Sequence, residues 1–121
     1  MTDVRNLADS LAKIPGPWQP HRLATVNDQV DMKIAKLHGE FVWHMHPETD
    51  ELFLVIDGEV VIQLRDRDVV LGAGDLFVVP QGVEHCPRAE HEASVIMIER
   101  TGTVNTGDAG GELTADLREL D

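Results

Sequence analysis

The stretch GEFVWHMHPETDELFLVIDG, residues 39–58, carries most of the information about how this chain folds. Successive side chains of a β-strand point to opposite faces, so a strand here would project His44 and His46 from one face. The segment PETD, residues 47–50, is typical of a turn, and Glu51 begins a second alternating run. An antiparallel return would therefore place the Glu51 carboxylate beside the two imidazoles.

Two imidazoles and one carboxylate form a ligand set that suits Fe(II), Mn, Zn or a similar divalent ion. His85 is a fourth candidate, because it follows the turn signal PQG, residues 80–82, and begins another predicted strand. Three neutral histidines and one glutamate would leave an M²⁺ site with a net charge of about +1. A six-coordinate ion would keep two positions open for O₂, water or a bidentate oxygen ligand.

Short alternating runs separated by Gly and Pro surround this stretch, with turn signals such as Asp57-Gly58 and GAG, residues 72–74. Between residues 29 and 37, for example, the apolar Met32 and Ile34 alternate with the charged Lys33. No segment of βαβ length and no internal repeat interrupts the runs, so the pattern favours a single all-β sandwich or barrel. We predict strands at residues 22–27, 29–37, 41–46, 51–56, 59–65, 69–71, 76–79, 83–88 and 93–100.

The two ends of the chain differ from this central part. Residues 3–14 have apolar side chains at helical spacing, with Thr2 or Asp3 as the expected cap and PGP, residues 15–17, as the stop. We therefore divide the chain into an N-terminal helix and linker, a barrel and an acidic C-terminal tail: residues 1–17, 18–101 and 102–121. Residues 112–120 could form a weak helical turn. We expect the tail to pack along the barrel or be partly mobile, with a lid or a dimer arm as the functional alternative.

Charge and composition exclude several classes of function. The 121 residues suit one domain, and a formal net charge of −12 disfavours both nucleic-acid and membrane-surface binding. The single cysteine, Cys86, allows no intrachain disulfide. No signal-peptide core and no apolar run of membrane-spanning length is visible. We expect a cytoplasmic protein whose partner is a small molecule.

Two spaced motifs resemble those of the cupin superfamily. Gly39-x4-His44-x-His46-x4-Glu51-x6-Gly58 is similar to the first cupin motif, and Gly74-x5-Pro80-x-Gly82-x2-His85 is similar to the second. The resemblance is to small single-domain microbial cupins, often labelled mannose-6-phosphate isomerase-like, with an RmlC-like barrel. It implies a double-stranded β-helix, the jelly-roll barrel, with a short N-terminal helix added in this chain. It also implies one divalent transition metal, Mn, Fe, Zn, Ni or Cu, on His44, His46, Glu51 and His85.

The sequence departs from the family pattern at two positions. Four residues rather than five separate Gly39 from His44, and Ala89 stands where the second motif usually ends with Asn. Neither change removes a metal ligand, but the second removes a polar neighbour of the site. Strand alternation puts Phe53 on the face of Glu51 and Ala89 on the face of His85, so we predict that both line the substrate pocket.

The same alternation turns Trp43 and Cys86 away from the ligands, and we expect both to serve packing. The remaining histidines, His21, His38 and His91, have no motif context, and we expect them at the surface or in turns.

Three functions are compatible with these features. The first is a small metalloenzyme of oxidoreductase type, such as a dioxygenase, acting on a small oxygen-rich molecule. The second is a non-redox isomerase, epimerase or lyase for a sugar or small acid, which needs an acid or base beyond the ligands; the absence of Tyr disfavours epimerases that use a Tyr–His arrangement. The third is a non-catalytic module that binds a small ligand. Open sheet edges favour a homodimer, with residues 18–37 as the candidate interface.

Overall fold

The computed structural model describes residues 4–120, which form one helix and eight strands. The elements are α1 (Leu7–Ala12), β1 (His21–Val26), β2 (Val30–Glu40), β3 (Glu51–Asp57), β4 (Val60–Leu64), β5 (Asp68–Leu71), β6 (Leu76–Val79), β7 (His85–Arg100) and β8 (Arg118–Glu119). This architecture confirms the all-β prediction with a short N-terminal helix. Within the described residues, no helix is both long and apolar enough to cross a membrane.

The helix is shorter than residues 3–14. The Asn6 side chain accepts a hydrogen bond from the Asp9 amide at 3.0 Å and so caps the helix at that point. The two caps expected from the sequence, Thr2 and Asp3, lie outside the described residues.

The long strand β7 organises the barrel. One of its edges pairs with β2, from Arg100 opposite Val30 to Arg88 opposite Glu40. Its other edge pairs first with β4 and then with β3, and β3 in turn pairs with β6. The predicted strands 83–88 and 93–100 are therefore a single strand that serves both halves of the jelly roll.

The structure corrects two other element predictions. Residues 41–46 do not form a strand, because only isolated backbone contacts join them to β7, Phe41 with Pro87 and His44 with His85, and the Met45 backbone bonds to the C-terminal tail instead. Residues 112–120 do not form a helical turn. They end in β8, which runs parallel to β1 and brings Leu120 into a buried position, 7% exposed.

Two apolar clusters lie on opposite faces of β2 and β7. The inner cluster fills the barrel and includes Phe53. The outer cluster is formed by Ile14, Leu23, Ile34, Ile96 and Leu120. Because the residues after α1 and the end of the tail supply Ile14 and Leu120, both chain ends cover what would otherwise be an exposed apolar face.

The predicted glycine turns are present. Gly58 has a φ of +85° between β3 and β4, and Gly74 and Gly82 also have positive φ values. A Cβ on Gly58 would lie 3.0 Å from that of Ala93, so this hairpin also needs the close approach that only glycine allows.

Candidate metal centre

The four predicted metal ligands meet at one point inside the barrel. His44 and His46 lie on the irregular segment before β3, Glu51 is the first residue of β3, and His85 is the first residue of β7. The backbones of His44 and His85 exchange two hydrogen bonds, at 3.0 and 2.8 Å. All four side chains are buried, and one ligand atom from each lies within 4.8 Å of the others.

Their distances fit a metal ion. Glu51 Oε1 lies 3.2 Å from His85 Nε2 and 3.3 Å from His46 Nε2. Neighbouring ligands of an ion with bonds of about 2.1 Å are separated by about 3.0 Å at right angles. His44 Nδ1 and His85 Nδ1 lie 2.8 and 2.9 Å from the carbonyl oxygens of Val42 and Val83. Since a carbonyl can only accept, each Nδ1 carries the proton and each Nε2 keeps a lone pair for a metal.

The charge states are those that a metal requires. Burial lowers the pKa of His44 to about 4, helped by the nearby His85, so His44 is neutral at pH 7. Burial acts to raise the pKa of Glu51, but its interactions with His46 and His85 outweigh this effect and hold the pKa well below its usual range. Both groups can therefore bind a cation at neutral pH without first losing a proton.

A buried ion pair lies beside these four residues, and the motifs did not predict it. Lys33 Nζ lies 2.7 Å from Glu99 Oε1, and each side chain is 2% exposed. Glu99 Oε2 lies 4.0 Å from His46 Nε2, and within residues 4–120 neither atom has a hydrogen-bond partner. Burial and the nearby Glu51 raise the pKa of Glu99, while Lys33 opposes the increase. A divalent cation would relieve the repulsion between Glu51 and Glu99, so this arrangement also fits a metal.

A cavity of about 40 Å³ opens beside the ligand cluster. Its polar end includes His44, Glu51, Lys33 and Glu99, and its wall is largely apolar. Phe53 lies on this wall, whereas Ala89 packs in the inner cluster and is not among the lining residues. Sequence reasoning also missed Trp18 and Phe41, whose rings stack at 4.6 Å on one side of the cavity.

The remaining candidates lie away from the cluster. The Arg65 guanidinium covers the Trp43 ring at 3.9 Å, outside the cavity lining. Cys86 is fully buried, and burial raises the pKa of its thiol to about 11, which suits a packing residue. His38 and His91 are exposed, as expected. The prediction for His21 is wrong, because strand β1 buries it to 7% exposure and its Nδ1 bonds to the Gln19 carbonyl.

Comparison with known proteins agrees with this geometry. The family model Cupin_2, a cupin domain, matches residues 30–99. The chain belongs to the Cupin_2 family. A cupin-2 domain-containing protein from Shewanella frigidimarina superposes with a TM-score of 0.78 at 41% identity, over 80% of this chain and 94% of that one. The uncharacterized protein YdbB of Bacillus subtilis is 33% identical over 90 residues, which are 74% of this cupin and 79% of YdbB.

A more limited similarity joins this cupin to an enzyme. The 3-hydroxyanthranilate 3,4-dioxygenase of Xanthomonas oryzae pv. oryzae is 34% identical over 59 residues, which are 46% of this chain and 34% of that protein. The matched part covers only about a third of the dioxygenase, so the similarity supports cupin kinship first.

Proposed function

We propose that this cupin binds one divalent transition-metal ion, Mn, Fe, Zn, Ni or Cu, through His44, His46, Glu51 and His85. We propose that it uses the ion in an oxidoreductase reaction of dioxygenase type on a small oxygen-rich molecule. The observation that carries the proposal is the convergence of four buried ligand atoms within 4.8 Å, with His44 and Glu51 of this group lining a cavity.

The protein's own residues prepare the site for an anionic ligand. A bound divalent ion would supply Lewis acidity and, if redox-active, a place to activate O₂. With Glu51 ionised, a divalent ion and its carboxylate ligand together carry a net charge of about +1. An anionic oxygen donor is the ligand that such a charge favours. The apolar wall that includes Phe53 and Met97 limits water near the reacting groups.

Two facts support the dioxygenase type. The chain contains no Tyr, so the cavity lacks one common proton-transfer group and the metal ligands carry a larger share of the chemistry. The chain is also similar to part of 3-hydroxyanthranilate 3,4-dioxygenase, and the name of that enzyme states a dioxygenase reaction.

The Lys33–Glu99 pair favours a second candidate function. Isomerases, epimerases and lyases need an acid or base beyond the metal ligands, and the sequence motifs offered none. Glu99 and Lys33 both line the cavity, so an ionisable pair stands next to the place where a substrate would bind. A non-redox reaction on a sugar or small acid is therefore the alternative.

Two metal forms of the protein separate the candidates. We would load the metal-free protein with Fe(II) or with Zn(II) and offer each a panel of enol, catechol and hydroxy-acid compounds. O₂ consumption by the Fe(II) form alone would support the oxidoreductase. Turnover by the Zn(II) form without O₂ would support the non-redox alternative, and binding without product in either form would indicate a binding module.

The control variants keep this experiment specific. His85→Ala should abolish the activity, because it removes a ligand. His91→Ala, at an exposed histidine outside the cluster, should keep it. Equal activity of His85→Ala and His91→Ala would contradict the proposed site.

A further inference from the structure

Residues 103–108, here called the C-terminal strap, lie across the segment that carries His46. The Asp108 amide donates to the Met45 carbonyl at 3.2 Å, and the Asp108 side chain accepts from the Met45 amide at 2.8 Å. These two bonds replace the strand pairing that Met45 lacks. The strap lies beyond residues 30–99, the part of the chain that matches the cupin family model.

Gly107 makes the closest approach of the strap to a ligand. A Cβ at this position would lie 2.2 Å from the Met45 carbonyl oxygen and 3.1 Å from His46 Nδ1. Backbone at 2.2 Å leaves no room for any side chain, and the φ of Gly107 is +54°. Only glycine therefore fits here, and the backbone of the strap lies against the Met45 carbonyl and close to the His46 ring.

The strap is itself fixed to the rest of the protein. The Asn105 side chain bonds to the Leu113 carbonyl and the Ala115 amide, at 2.9 and 3.0 Å. Thr106 is fully buried and shares a 2.7 Å hydroxyl contact with Thr114. These bonds close residues 105–115 into a compact loop, so the strap can act as a firm support.

Two further contacts connect the strap and its surroundings to the metal centre. Lys33 Nζ donates to the Thr103 carbonyl at 3.0 Å, which joins the strap to the Lys33–Glu99 pair. On the other side, the Gly82 amide donates to the His46 carbonyl at 2.9 Å. His46 is therefore held between the turn at residues 80–82 and the strap.

We infer that the C-terminal strap sets the position of His46 and thereby the affinity of the cupin for its metal. Gly107 and Asp108 are positioning residues, which act on the ion through His46 and the Met45 backbone. This inference rests on the proposed metal site.

The test compares Gly107→Ala with Gly110→Ala. Gly110 also has a positive φ, of +63°, but a Cβ there would meet nothing within 4 Å. Both variants therefore carry the same kind of backbone strain, and only Gly107→Ala adds a clash, with the Met45 carbonyl and the His46 ring. We would measure Zn²⁺ affinity by chelator competition and record the visible spectrum of the Co²⁺ form, which reports ligand geometry. Gly107→Ala should weaken Zn²⁺ binding by about 10- to 100-fold and change the spectrum, as loss of a group that orients a ligand does.

A second pair keeps the test decisive if Gly107→Ala does not fold. Asp108→Ala removes the acceptor of the Met45 amide, while Asp108→Asn keeps an acceptor and removes the charge. Asp108→Ala should weaken Zn²⁺ binding by about 2- to 10-fold, the effect expected for one lost hydrogen bond, and Asp108→Asn should restore it.

The possible results test the role of the strap and the metal site separately. Equal affinities in Gly107→Ala and Gly110→Ala, or in Asp108→Ala and the wild type, would overturn the role of the strap while the metal site stands. A wild-type protein that binds no Zn²⁺ or Co²⁺ would overturn the proposed function, and the inference with it.

Discussion

Acidification of the metal-free protein should lower its free energy of unfolding, because the buried His44 must then take up a proton. Its pKa is lowered from 6.5 to about 4 by burial and by His85, so the unfolded chain binds this proton more readily than the folded protein. Between these two values the unfolded state holds more protons, and the free energy of unfolding therefore decreases as the pH falls. The lowered pKa corresponds to about 3 kcal/mol of folding stability, which is lost as the pH falls from about 6.5 to about 4.

The pKa of Glu99 is also shifted between the unfolded and folded states, so the contribution of His44 must be isolated by difference. Glu99 acts in the opposite direction, because a raised pKa makes the folded state bind its proton first as the pH falls. His44→Gln replaces the imidazole with an amide that does not titrate. The difference between wild type and variant therefore reports the titration of His44 together with its coupling to His85, Glu51 and His46.

Urea unfolding at pH 7, 6, 5 and 4 in the presence of a chelator measures this difference. The wild type should lose stability relative to His44→Gln by up to about 1.4 kcal/mol per pH unit, to a total of about 3 kcal/mol. Parallel stability curves, with a relative change below about 0.5 kcal/mol, would show that His44 is not buried in its neutral form.

Three further predictions concern other parts of the molecule. Lys33→Met should lower the free energy of unfolding in urea by about 3 kcal/mol, because it leaves Glu99 buried without its ammonium partner. The double variant Lys33→Met/Glu99→Leu should recover more than half of this loss. Equal losses in the two variants would argue against a coupled pair. Cys86, with a thiol pKa of about 11, should resist a thiol reagent at pH 8 in the folded protein and react once urea unfolds it. Light scattering after size exclusion should give twice the chain mass of 13.4 kDa; the monomer mass would exclude the homodimer proposed through residues 18–37.

The fold and the four candidate ligands could be predicted from the sequence because their signals are local. The spacing of His44, His46 and Glu51 matched a motif and preceded one turn, and His85 follows a recognisable turn, so these ligands could be identified although residues 41–46 form no regular strand. The turn glycines required positive φ values, and Gly58, Gly74 and Gly82 have them. The sequence pattern was therefore sufficient to predict those turns and ligands whose conformation depends on neighbouring residues.

The Lys33–Glu99 pair could not be predicted in this way. In β2 the apolar residues Met32 and Ile34 alternate with Lys33, which made the lysine face look solvent-exposed. In the structure Lys33 is buried instead. It points into the barrel, while Ile34 faces the outer cluster. A strand buried on both faces loses the simple alternation of polar and apolar sides.

The irregular segment 41–46 was missed for a related reason. Its composition is strand-like, but the backbone of Met45 bonds to Asp108 and that of His46 to Gly82, and both partners are distant in sequence. The C-terminal tail looked like a simple acidic extension. No pattern in the tail sequence indicated that Gly107 would contact His46.

Elemental analysis of the protein purified without added metal is the decisive experiment for the proposed metal centre. We expect about one divalent transition-metal ion per chain in the wild type and in His91→Ala, and a substantial loss of that ion in His85→Ala. Full metal content in His85→Ala, or no ion in the wild type even after incubation with each candidate metal, would contradict a metal centre at His44, His46, Glu51 and His85.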